Sequence, residues 1–490
     1  MKRLAGYIAI LVAFVILAGA PQAAPLKGQA VTYSDFSRIA YIASSMSHVY
    51  FATTDGVIRY DKMGFRWEDP LTGAAGIDNR DIHRVWVDHF DQKLYAATSN
   101  DLLEYDLLFD RWYPINEIPA LNNQSIHITT PDIMYAPPQF NFSSSGYLMD
   151  PQGRNFYFND ILDDRTGNLW IGTWGYGAAL AGSSSMIIEL LPYGLMQNRV
   201  GTIYNLDGIL WVSGKTVGSY RTGITIFDPD ENSFSYVESG IGFEFPSEDI
   251  YSINSSAREI LVGTSGGLVF LDRERLTVNR TLTARGGLGD NVVYCAQAVG
   301  DSVYIGTANG VSLLSGASDT VRFVWPGQFF NTDIYDFEAT DSTLWIASAA
   351  GAFQLRLDNG ALQKFQDPHS IVFSRAYSIA RWEDQLWIAS DFGAVRIDLT
   401  TGETTPFSLI MSGYGRRALA VNDRIAAISS DRGMRIYWLD ENRPHDREFT
   451  TEDGLPSDLV LSLSVDGDFI WVGTDRGLTR FLWNNPDRVD

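Results

Sequence analysis

The segment GLPSDLVLSLSVDGDFIWVGTDRGLTRFLW, residues 454–483, contains three short runs of apolar or alternating residues separated by tight Gly/Asp turns. The runs LVLSLSV, FIWVGT and LTRFLW have the length and alternation of β-strands, and none of them has a helical period. The segment therefore predicts three consecutive short strands joined by turns, which is less than a complete domain.

Near copies of FIWVGTDRGL recur along the chain, for example NLWIGTWGYG from Asn168 and QLWIASDFGA from Gln385. The residues that match Trp471 in these copies are Tyr50, Tyr95, Trp170, Trp211, Leu261, Tyr304, Trp345, Trp387 and Ala426. Most copies are separated by 39 to 50 residues, the spacing of a four-stranded propeller blade. One longer interval closes if Tyr135 belongs to a decayed copy. The sequence thus predicts an all-β protein, a β-propeller of ten or eleven four-stranded blade repeats of about 42 residues.

The ends of the repeat region predict how the propeller closes. The last unit ends after its third strand, whereas GQAVTYSDF, residues 28–36, is a strand without a unit of its own. We expect this strand to complete the last blade, because closure removes exposed sheet edges. Ten or eleven blades exceed the usual four to eight, so the repeat region 28–490 forms two packed rings or one large ring. For two rings, a boundary near residues 240–285 is expected.

Two segments depart from the repeat. Residues 114–160, rich in Pro, Asn, Ser and aromatic residues, are either a degenerate blade or an insertion. Residues 1–24 combine Lys2 and Arg3 with an apolar stretch that ends in small residues, as in a secretory signal peptide. An uncleaved membrane anchor is the alternative. The sequence predicts a periplasmic or secreted protein, with no membrane insertion once the signal is cleaved.

Composition excludes several classes of function. The net charge of −22 argues against a nucleic-acid-binding surface. Cys295 is the only cysteine, so no intrachain disulfide can form. The six histidines show no spacing typical of metal ligands, and neither a P-loop nor a GxSxG motif is present. We expect no metal, no cofactor and no catalytic residue that a motif reveals.

The repeat resembles the two-component regulator propeller family, whose units read approximately GL-polar-polar-V followed by D-G-x-LWIGT-x-x-GL. Residues 454–478 match this pattern almost throughout, and residues 287–311 and 76–106 are looser copies. Such propellers often form the periplasmic sensor of hybrid histidine kinases. This sequence continues into neither a kinase nor a transmembrane helix, so the resemblance implies a sensor-like recognition module without the kinase.

We expect a ligand to bind on the face formed by the loops between blades and the turns between second and third strands. These loops contain unusual aromatic and arginine residues, which are typical anchors of binding interfaces. They are Trp174, Tyr176, Tyr220, Arg221, Phe243, Phe245, Phe329, Phe330, Phe392, Tyr414, Arg416 and Arg417. The alternative for each ring is that it packs its own loop onto the blades.

Two functions are consistent with these features. The favoured hypothesis is an exported, non-enzymatic binding, scaffold or sensor-type protein of the cell envelope, whose partner is an envelope protein or a glycan. The alternative is an extracellular polysaccharide lyase or hydrolase with a site assembled from several blades. A His–Tyr–Arg cluster would favour a lyase, and an uninterrupted aromatic patch would favour binding.

Overall fold

A computed structural model describes residues 30–484, except for 73–80, 91–92, 107–110, 122–125, 132–133, 216–220, 239–248, 317–319, 409–417 and 440–445. The described residues form ten antiparallel sheets, a short helix at Pro326–Phe329 and 3-10 turns at Ala284–Gly286 and Thr451–Asp453. None of the described helices is long and apolar enough to cross a membrane. The predicted all-β propeller class is confirmed, and the expected signal peptide, residues 1–24, lies outside the described residues.

Three sheets between residues 39 and 191 form a group that we name the three-sheet unit. Its first two sheets consist of β2 (Ile39–Ser44), β3 (His48–Thr53), β4 (Gly56–Asp61), β5 (Arg66–Trp67), β6 (Arg84–Val87), β7 (Leu94–Ala97), β8 (Leu102–Asp106) and β9 (Arg111–Ile115). Its third sheet consists of β10 (Ile126–His127), β11 (Asn141–Phe142), β12 (Leu148–Met149), β13 (Asn155–Asp163), β14 (Asn168–Trp174), β15 (Ala178–Gly182) and β16 (Ile188–Leu191).

The remaining seven sheets form a second group, which we name the seven-sheet ring. The first four contain β17 (Thr202–Leu206), β18 (Ile209–Ser213), β19 (Gly223–Asp228), β20 (Ser233–Glu238), β21 (Ile250–Ser255), β22 (Glu259–Thr264), β23 (Gly267–Asp272), β24 (Val278–Leu282), β25 (Val293–Val299), β26 (Ser302–Thr307), β27 (Gly310–Ser315), β28 (Thr320–Val324), β29 (Ile334–Ala339), β30 (Thr343–Ser348), β31 (Gly351–Arg356) and β32 (Leu362–Lys364). The last three contain β33 (Ser378–Trp382), β34 (Gln385–Ser390), β35 (Gly393–Asp398), β36 (Thr404–Ser408), β37 (Leu419–Val421), β38 (Ile425–Ser430), β39 (Gly433–Trp438), β40 (Arg447–Phe449), β41 (Val460–Asp466), β42 (Phe469–Thr474) and β43 (Gly477–Leu482), together with β1 (Ala30–Tyr33).

Contacts between the first strands of neighbouring sheets define the order of each group. In the seven-sheet ring, β17, β21, β25, β29, β33, β37 and β41 pack in sequence, and β41 packs back against β17. In the three-sheet unit, β13 packs against β2 and β2 against β6, so the sheet that comes last in sequence lies next to the first. The ten sheets are therefore arranged as a closed ring of seven and a group of three.

The predicted closing strand is confirmed. The N-terminal strand β1 pairs antiparallel with β43, with Ala30 opposite Phe481 and Tyr33 opposite Leu478. The ring of Tyr33 lies 4.7 Å from Phe227 of the first ring sheet, so β1 also packs across the junction where the ring closes. The two ends of the chain thus complete one sheet.

The domain boundary lies elsewhere than expected. The expected region 240–285 falls inside the seven-sheet ring, because β21 packs against β17 on one side and against β25 on the other. The packing order changes between β16 and β17, which places the division near residues 192–201. In the segment 114–160, β10 and β12 pair with β13, and β11 pairs with β12. Tyr135 makes an isolated bridge to Ile187, so this segment extends an existing sheet instead of forming a decayed blade.

The repeated glycine in WIGT has a steric cause. A Cβ atom at Gly306 would lie 2.8 Å from Ile334 Cγ2, and one at Gly473 would lie 2.6 Å from Val200 Cγ1. In both cases the crowding residue starts or precedes the first strand of the neighbouring sheet. Glycine therefore allows adjacent sheets to approach closely.

The repeated aromatic position packs between neighbouring sheets. Trp170 is 2% exposed and lies 5.4 Å from the ring of Tyr60 in the neighbouring sheet. Trp471 likewise contacts Phe227 across the ring closure at 5.7 Å. These large buried side chains supply much of the apolar area that holds sheet against sheet.

Candidate functional site

Strand pairing brings two kinds of loop to one edge of the seven-sheet ring. Ile334 at the start of β29 pairs with Ser348 at the end of β30, so the start of a first strand lies beside the turn between the second and third strands. The same pairing occurs in the other sheets, for example between Val293 and Thr307. We name this side of the ring the loop edge, and it corresponds to the face on which a ligand is expected.

Six of the predicted ligand-binding residues lie outside the described residues: Tyr220, Phe243, Phe245, Tyr414, Arg416 and Arg417. Among the other predicted residues, Phe330 and Phe392 are 70% and 57% exposed, so their rings are accessible to a ligand. Phe329 is fully buried and packs against Phe353 at 4.9 Å. This burial corrects the prediction for Phe329, which is a core residue that anchors the short helix Pro326–Phe329.

Tyr176 and Arg221 come together in a cleft between the two groups of sheets. The guanidinium carbon of Arg221 lies 4.4 Å from the ring centroid of Tyr176 and 4.8 Å from that of Tyr236. Arg221 Nη2 is 3.0 Å from Glu238 Oε2. Tyr176 follows β14 in the three-sheet unit, whereas the other three residues belong to the first ring sheet, so this cation joins the two groups.

An ionic network extends from the same glutamate into the three-sheet unit. Arg154 forms an ion pair with Glu238, and its Nε donates to Asp150 Oδ2 at 2.7 Å. Arg154 lies just before β13, in the turn that leads out of the added strands. Because both carboxylates are buried, the pairing with arginine compensates for their desolvation.

The cleft around Arg221 is narrow. Its lining consists of Asp35, Ser37, Tyr176, Pro192, Tyr193, Leu195, Met196, Arg221 and Tyr236. It has room for roughly one water molecule, which is too little for an organic ligand. Tyr176 and Arg221 therefore serve the junction between the two groups of sheets. Burial in the same cleft raises the pKa of Asp35 to about 6.

Trp174 also lies at this junction. It ends β14, where it pairs with Tyr157 of β13, and it forms an isolated antiparallel bridge with Arg38. Its side chain is half-buried, in contrast to the fully buried Trp170 four residues earlier. Its backbone is therefore part of the sheet, while part of its indole ring is accessible.

Four tyrosines form a continuous series at the loop edge, although none belongs to the residues selected from the sequence. They lie at the starts of β21, β25, β29 and β33 and are Tyr251, Tyr294, Tyr335 and Tyr377. The successive ring centroids are 5.4, 5.9 and 5.3 Å apart. We name this series the tyrosine arc, because it follows four neighbouring sheets around the ring.

Irregular pairing at the start of the first strands presents these side chains. The register shifts between Ile250 and Ser252, and again between Val293 and Cys295, so Tyr251 and Tyr294 are the bulged residues of their strands. Such β-bulges turn a side chain away from the regular alternation of the strand. Tyr251, Tyr294 and Tyr335 are half-buried, so one part of each ring packs and another part faces outward.

Charged groups flank the tyrosine arc at both ends. Lys215 Nζ lies 5.7 Å from the ring centroid of Tyr251 and 3.6 Å from Asp249 Oδ2. At the other end, Arg375 Nη1 donates to the Tyr377 hydroxyl at 3.1 Å and lies 3.5 Å from Asp391 Oδ2. Asp391 precedes the exposed Phe392, which connects the arc to one of the predicted residues.

Two phenols of the arc, those of Tyr335 and Tyr377, are neutral hydrogen-bonding groups. Burial raises the pKa of Tyr335, and the neighbouring carboxylate of Asp333, which accepts its hydrogen bond at 3.1 Å, raises it further. Burial also raises the pKa of Tyr377, against the opposing effect of the hydrogen bond from Arg375. Both hydroxyls therefore stay protonated at neutral pH and suit hydrogen bonding better than proton abstraction.

A simple sequence signal marks the tyrosine arc. Each of its tyrosines stands ten residues before the repeated position, as Tyr335 does before Trp345 in DIYDFEATDSTLW. The ligand-binding residues predicted from the sequence were taken from loops and turns, whereas these tyrosines lie at the starts of strands. Arg416, one of the predicted residues outside the described part, has the same offset from Ala426 in the sequence.

Three solved structures illustrate what the chain is similar to. Two of them are extracellular domains of hybrid two component systems from B. thetaiotaomicron, and both match with a TM-score of 0.48 over 92% of this chain. The first is 13% identical and is covered over 70% of its own length. The second is 17% identical and is covered over 56% of its own length. PorZ, a surface component of the type-IX secretion system of Porphyromonas gingivalis, matches with a TM-score of 0.47 and 13% identity, over 92% of this chain and 69% of PorZ. These similarities are too low to carry a functional argument.

Sequence comparison gives one specific match. The family model described as two component regulator propeller matches residues 149–175, which include all of β13 and β14 and the motif LWIGTW. No curated protein sequence matches the chain. The chain therefore carries a repeat of the two-component regulator propeller family, which confirms the resemblance that its sequence shows.

Proposed function

We propose that the protein is an exported, non-enzymatic binding, scaffold or sensor-type propeller of the cell envelope, which recognises a protein or a glycan through the loop edge. The single observation that carries this proposal is the tyrosine arc. The half-buried rings of Tyr251, Tyr294 and Tyr335 offer aromatic faces and hydroxyl groups side by side, which is the composition of a recognition surface. The exposed rings of Phe330 and Phe392 extend this surface.

The ionisable groups around the arc favour binding over catalysis. Asp249 and Asp391 are within ion-pair distance of Lys215 and Arg375, respectively. Asp333 accepts a hydrogen bond from Tyr335. A lyase or hydrolase, the alternative function, needs an acid and a base that change protonation during turnover. Paired carboxylates and phenols with raised pKa values are poorly suited to that task at neutral pH.

Substitutions in the arc test the proposal directly. Tyr294→Ala combined with Tyr335→Ala removes two neighbouring rings, and the immobilised protein is then probed with a neutral glycan array and with solubilised envelope proteins. We expect the wild-type protein to retain a ligand in one of these arms and the double variant to lose it. Tyr294→Phe, which keeps the ring and removes the hydroxyl, separates stacking from hydrogen bonding.

The matched control is Trp382→Ala. Trp382 is 41% exposed and ends β33, whereas Tyr377 directly precedes the same strand, so the two aromatics lie at opposite edges of one sheet. The control should bind as the wild type does. If the double variant retains the same ligands as the control, the tyrosine arc is not the recognition surface.

Export is part of this proposal and rests on residues 1–24. We expect cleavage of the signal segment, so that N-terminal sequencing of the protein from cells finds a first residue near positions 21 to 25. Recovery of Met1 on membrane-bound protein would instead favour the uncleaved anchor.

A further inference from the structure

A second cluster of polar and aromatic side chains lies in the three-sheet unit, away from the tyrosine arc. His127 Nδ1 is 2.8 Å from Asp160 Oδ1, and the imidazole ring stacks on Tyr41 with 4.5 Å between centroids. Asp160 also accepts the backbone N–H of Ile42 at 2.8 Å. The carboxylate is therefore fixed by the neighbouring strand, and it in turn orients the histidine.

Arg84 completes the cluster. Its guanidinium carbon lies 4.9 Å from the ring centroid of Tyr41 and 5.1 Å from that of Trp86, and its Nη2 is 3.5 Å from the Tyr41 hydroxyl. Its side chain is exposed. Within the described part of the chain, no carboxylate is at ion-pair distance from this guanidinium. Aromatic faces hold the cation in place and leave its planar donor fork open.

Two other arginines that contact aromatic rings in this protein are paired with carboxylates. Arg221, between Tyr176 and Tyr236, is paired with Glu238, and Arg375, beside Tyr377, is paired with Asp391. The chain has 59 acidic against 37 basic residues, so carboxylate partners are abundant. An exposed guanidinium that is oriented by two rings but paired with no carboxylate of the described chain is the arrangement expected for binding an external anion.

The cluster is assembled from three sheets. Tyr41 lies on β2, Arg84 begins β6 and His127 ends β10, which is one of the strands added to the third sheet. Because β2 packs against β6 and against β13, the strands that carry these side chains belong to packed, regular structure. Such rigidity lowers the entropy that a ligand must overcome on binding.

We propose that Arg84, Tyr41 and His127 bind an acidic saccharide through its carboxylate group. The planar guanidinium matches a carboxylate with two parallel hydrogen bonds. Since Asp160 occupies His127 Nδ1, Nε2 is the imidazole nitrogen that remains for the ligand. The Tyr41 hydroxyl lies 3.5 Å from Arg84 Nη2. The imidazole nitrogen and the tyrosine hydroxyl suit the hydroxyls of a sugar ring. The inference does not depend on the tyrosine arc and concerns a different surface. Because a His–Tyr–Arg cluster is also the arrangement that would favour a lyase, cleavage of the saccharide by the protein would overturn a role limited to binding.

Oligogalacturonate, a short chain of uronate sugars, tests this site together with its methyl ester, which has the same sugar backbone without the negative charges. We expect calorimetric titration of the mature protein to detect binding of the acid and much weaker binding of the ester. Arg84→Met, which keeps the apolar stem and removes the charge, should weaken binding of the acid about tenfold or more. Arg84→Lys should bind the acid more tightly than Arg84→Met but less tightly than the wild type, because an ammonium lacks the planar fork.

Arg396→Met is the matched control. Arg396 also lies near two aromatic rings, with its guanidinium carbon 6.0 Å from Trp387 and 5.9 Å from Phe407, but it belongs to the seven-sheet ring. It changes the net charge by the same amount and should leave binding unchanged. The double variant Tyr294→Ala with Tyr335→Ala should also bind as the wild type does, which separates this site from the proposed function.

Three results would overturn the inference. Equal affinity for the acid and its ester would show that no carboxylate is recognised. Equal affinities of Arg84→Met and Arg396→Met would show that Arg84 is not a ligand contact. Complete displacement of the oligosaccharide by inorganic phosphate at comparable concentration would indicate a site for simple anions and not for saccharides.

Discussion

The two groups of sheets share one repeat and differ at the bulged residue of the first strand. In the seven-sheet ring this residue is a tyrosine in three consecutive sheets, at Tyr251, Tyr294 and Tyr335, and it is Leu461 in the last sheet. In the three-sheet unit it is Ala40 or Asn159. The tyrosines contact one another along the edge, whereas Asn159 Nδ2 donates to the carbonyl of Ala40 at 2.9 Å and so ties two sheets together.

In one sheet of each group, the residue after the bulge is an aspartate that is used in the same way. Asp160 accepts the backbone N–H of Ile42, and Asp336 accepts that of Ile379, each at 2.8 Å and each from the neighbouring sheet. This equivalence indicates that the aspartate serves the fold. The bulged position, by contrast, is free to vary, and a repeated tyrosine there is better explained by recognition than by stability.

Removal of β1 should have the largest effect on stability, and it should destabilise the seven-sheet ring more than the three-sheet unit. Deletion of residues 28–33 exposes β43 and removes Tyr33, whose burial alone is worth about 3 to 5 kcal/mol. We expect hydrogen exchange to accelerate across 460–482 in the last ring sheet, with a smaller change in β6–β8 of the three-sheet unit. Equal acceleration in both regions would mean that they unfold as one unit, and an unchanged last sheet would contradict the role of β1.

A pair of tryptophans in the three-sheet unit gives the next largest contrast. Trp170→Ala leaves a cavity against Phe51 and Tyr60 of the neighbouring sheet and should lower the free energy of unfolding by about 3 to 5 kcal/mol. Trp174→Ala removes a half-buried ring at the junction and should shift the thermal midpoint by a few degrees at most. If both variants unfold equally readily, the indole of Trp174 belongs to the core.

Repetition made the fold predictable from the sequence. The position of Trp471 recurs with a spacing close to that of a blade, and the unpaired strand before Phe36 matches the missing strand of the last unit. Each copy repeats the same steric and hydrogen-bonding requirement, so chance variation in one copy does not hide the pattern. The grouping into seven and three sheets was not predictable, because it depends on which sheet packs beside β2.

The candidate site was less accessible to sequence reasoning. An aromatic residue in a loop looks similar whether it is exposed, like Phe330, or buried, like Phe329 directly before it. The sequence predicted that Arg221 binds a ligand, whereas the structure shows that it is paired with Glu238. Contacts of this kind join residues that are distant in sequence. His127 and Arg84, for example, lie on different sheets and meet through Tyr41.

The pH dependence of stability should report on the junction between the two groups. Burial raises the pKa of Asp35 from 3.8 to about 6, so the folded state holds its proton more tightly than the unfolded chain does. The stabilisation that comes from this tighter proton binding is fully present below about pH 4. It is lost as the pH rises through about 6, which lowers the free energy of unfolding by roughly 3 kcal/mol or less. Asp35→Asn should remove it.

Urea unfolding of both proteins at several pH values between about 4 and 7.5 isolates this contribution. The free energy of unfolding of the wild type should fall relative to that of Asp35→Asn as the pH rises. Glu338, whose pKa burial raises to about 7, affects both proteins equally and cancels from the difference. A constant difference across this range would show that folding does not raise the pKa of Asp35.

The smallest expected effect tests whether the two groups share the same turn. Thr173 Oγ1 donates to the Gly177 carbonyl at 2.8 Å and accepts the N–H of Tyr176. Thr307 Oγ1 in the ring donates to the Gly310 carbonyl at 2.9 Å and accepts the N–H of Asn309. Both threonines are fully buried, so replacement by valine removes these bonds with little change in shape. Each variant should lose about 1 to 3 kcal/mol, and the two losses should agree within error. A loss at Thr173 several times that at Thr307 would indicate that the turn before Tyr176 carries an additional load from the junction, and that the shared repeat is not energetically equivalent in the two groups.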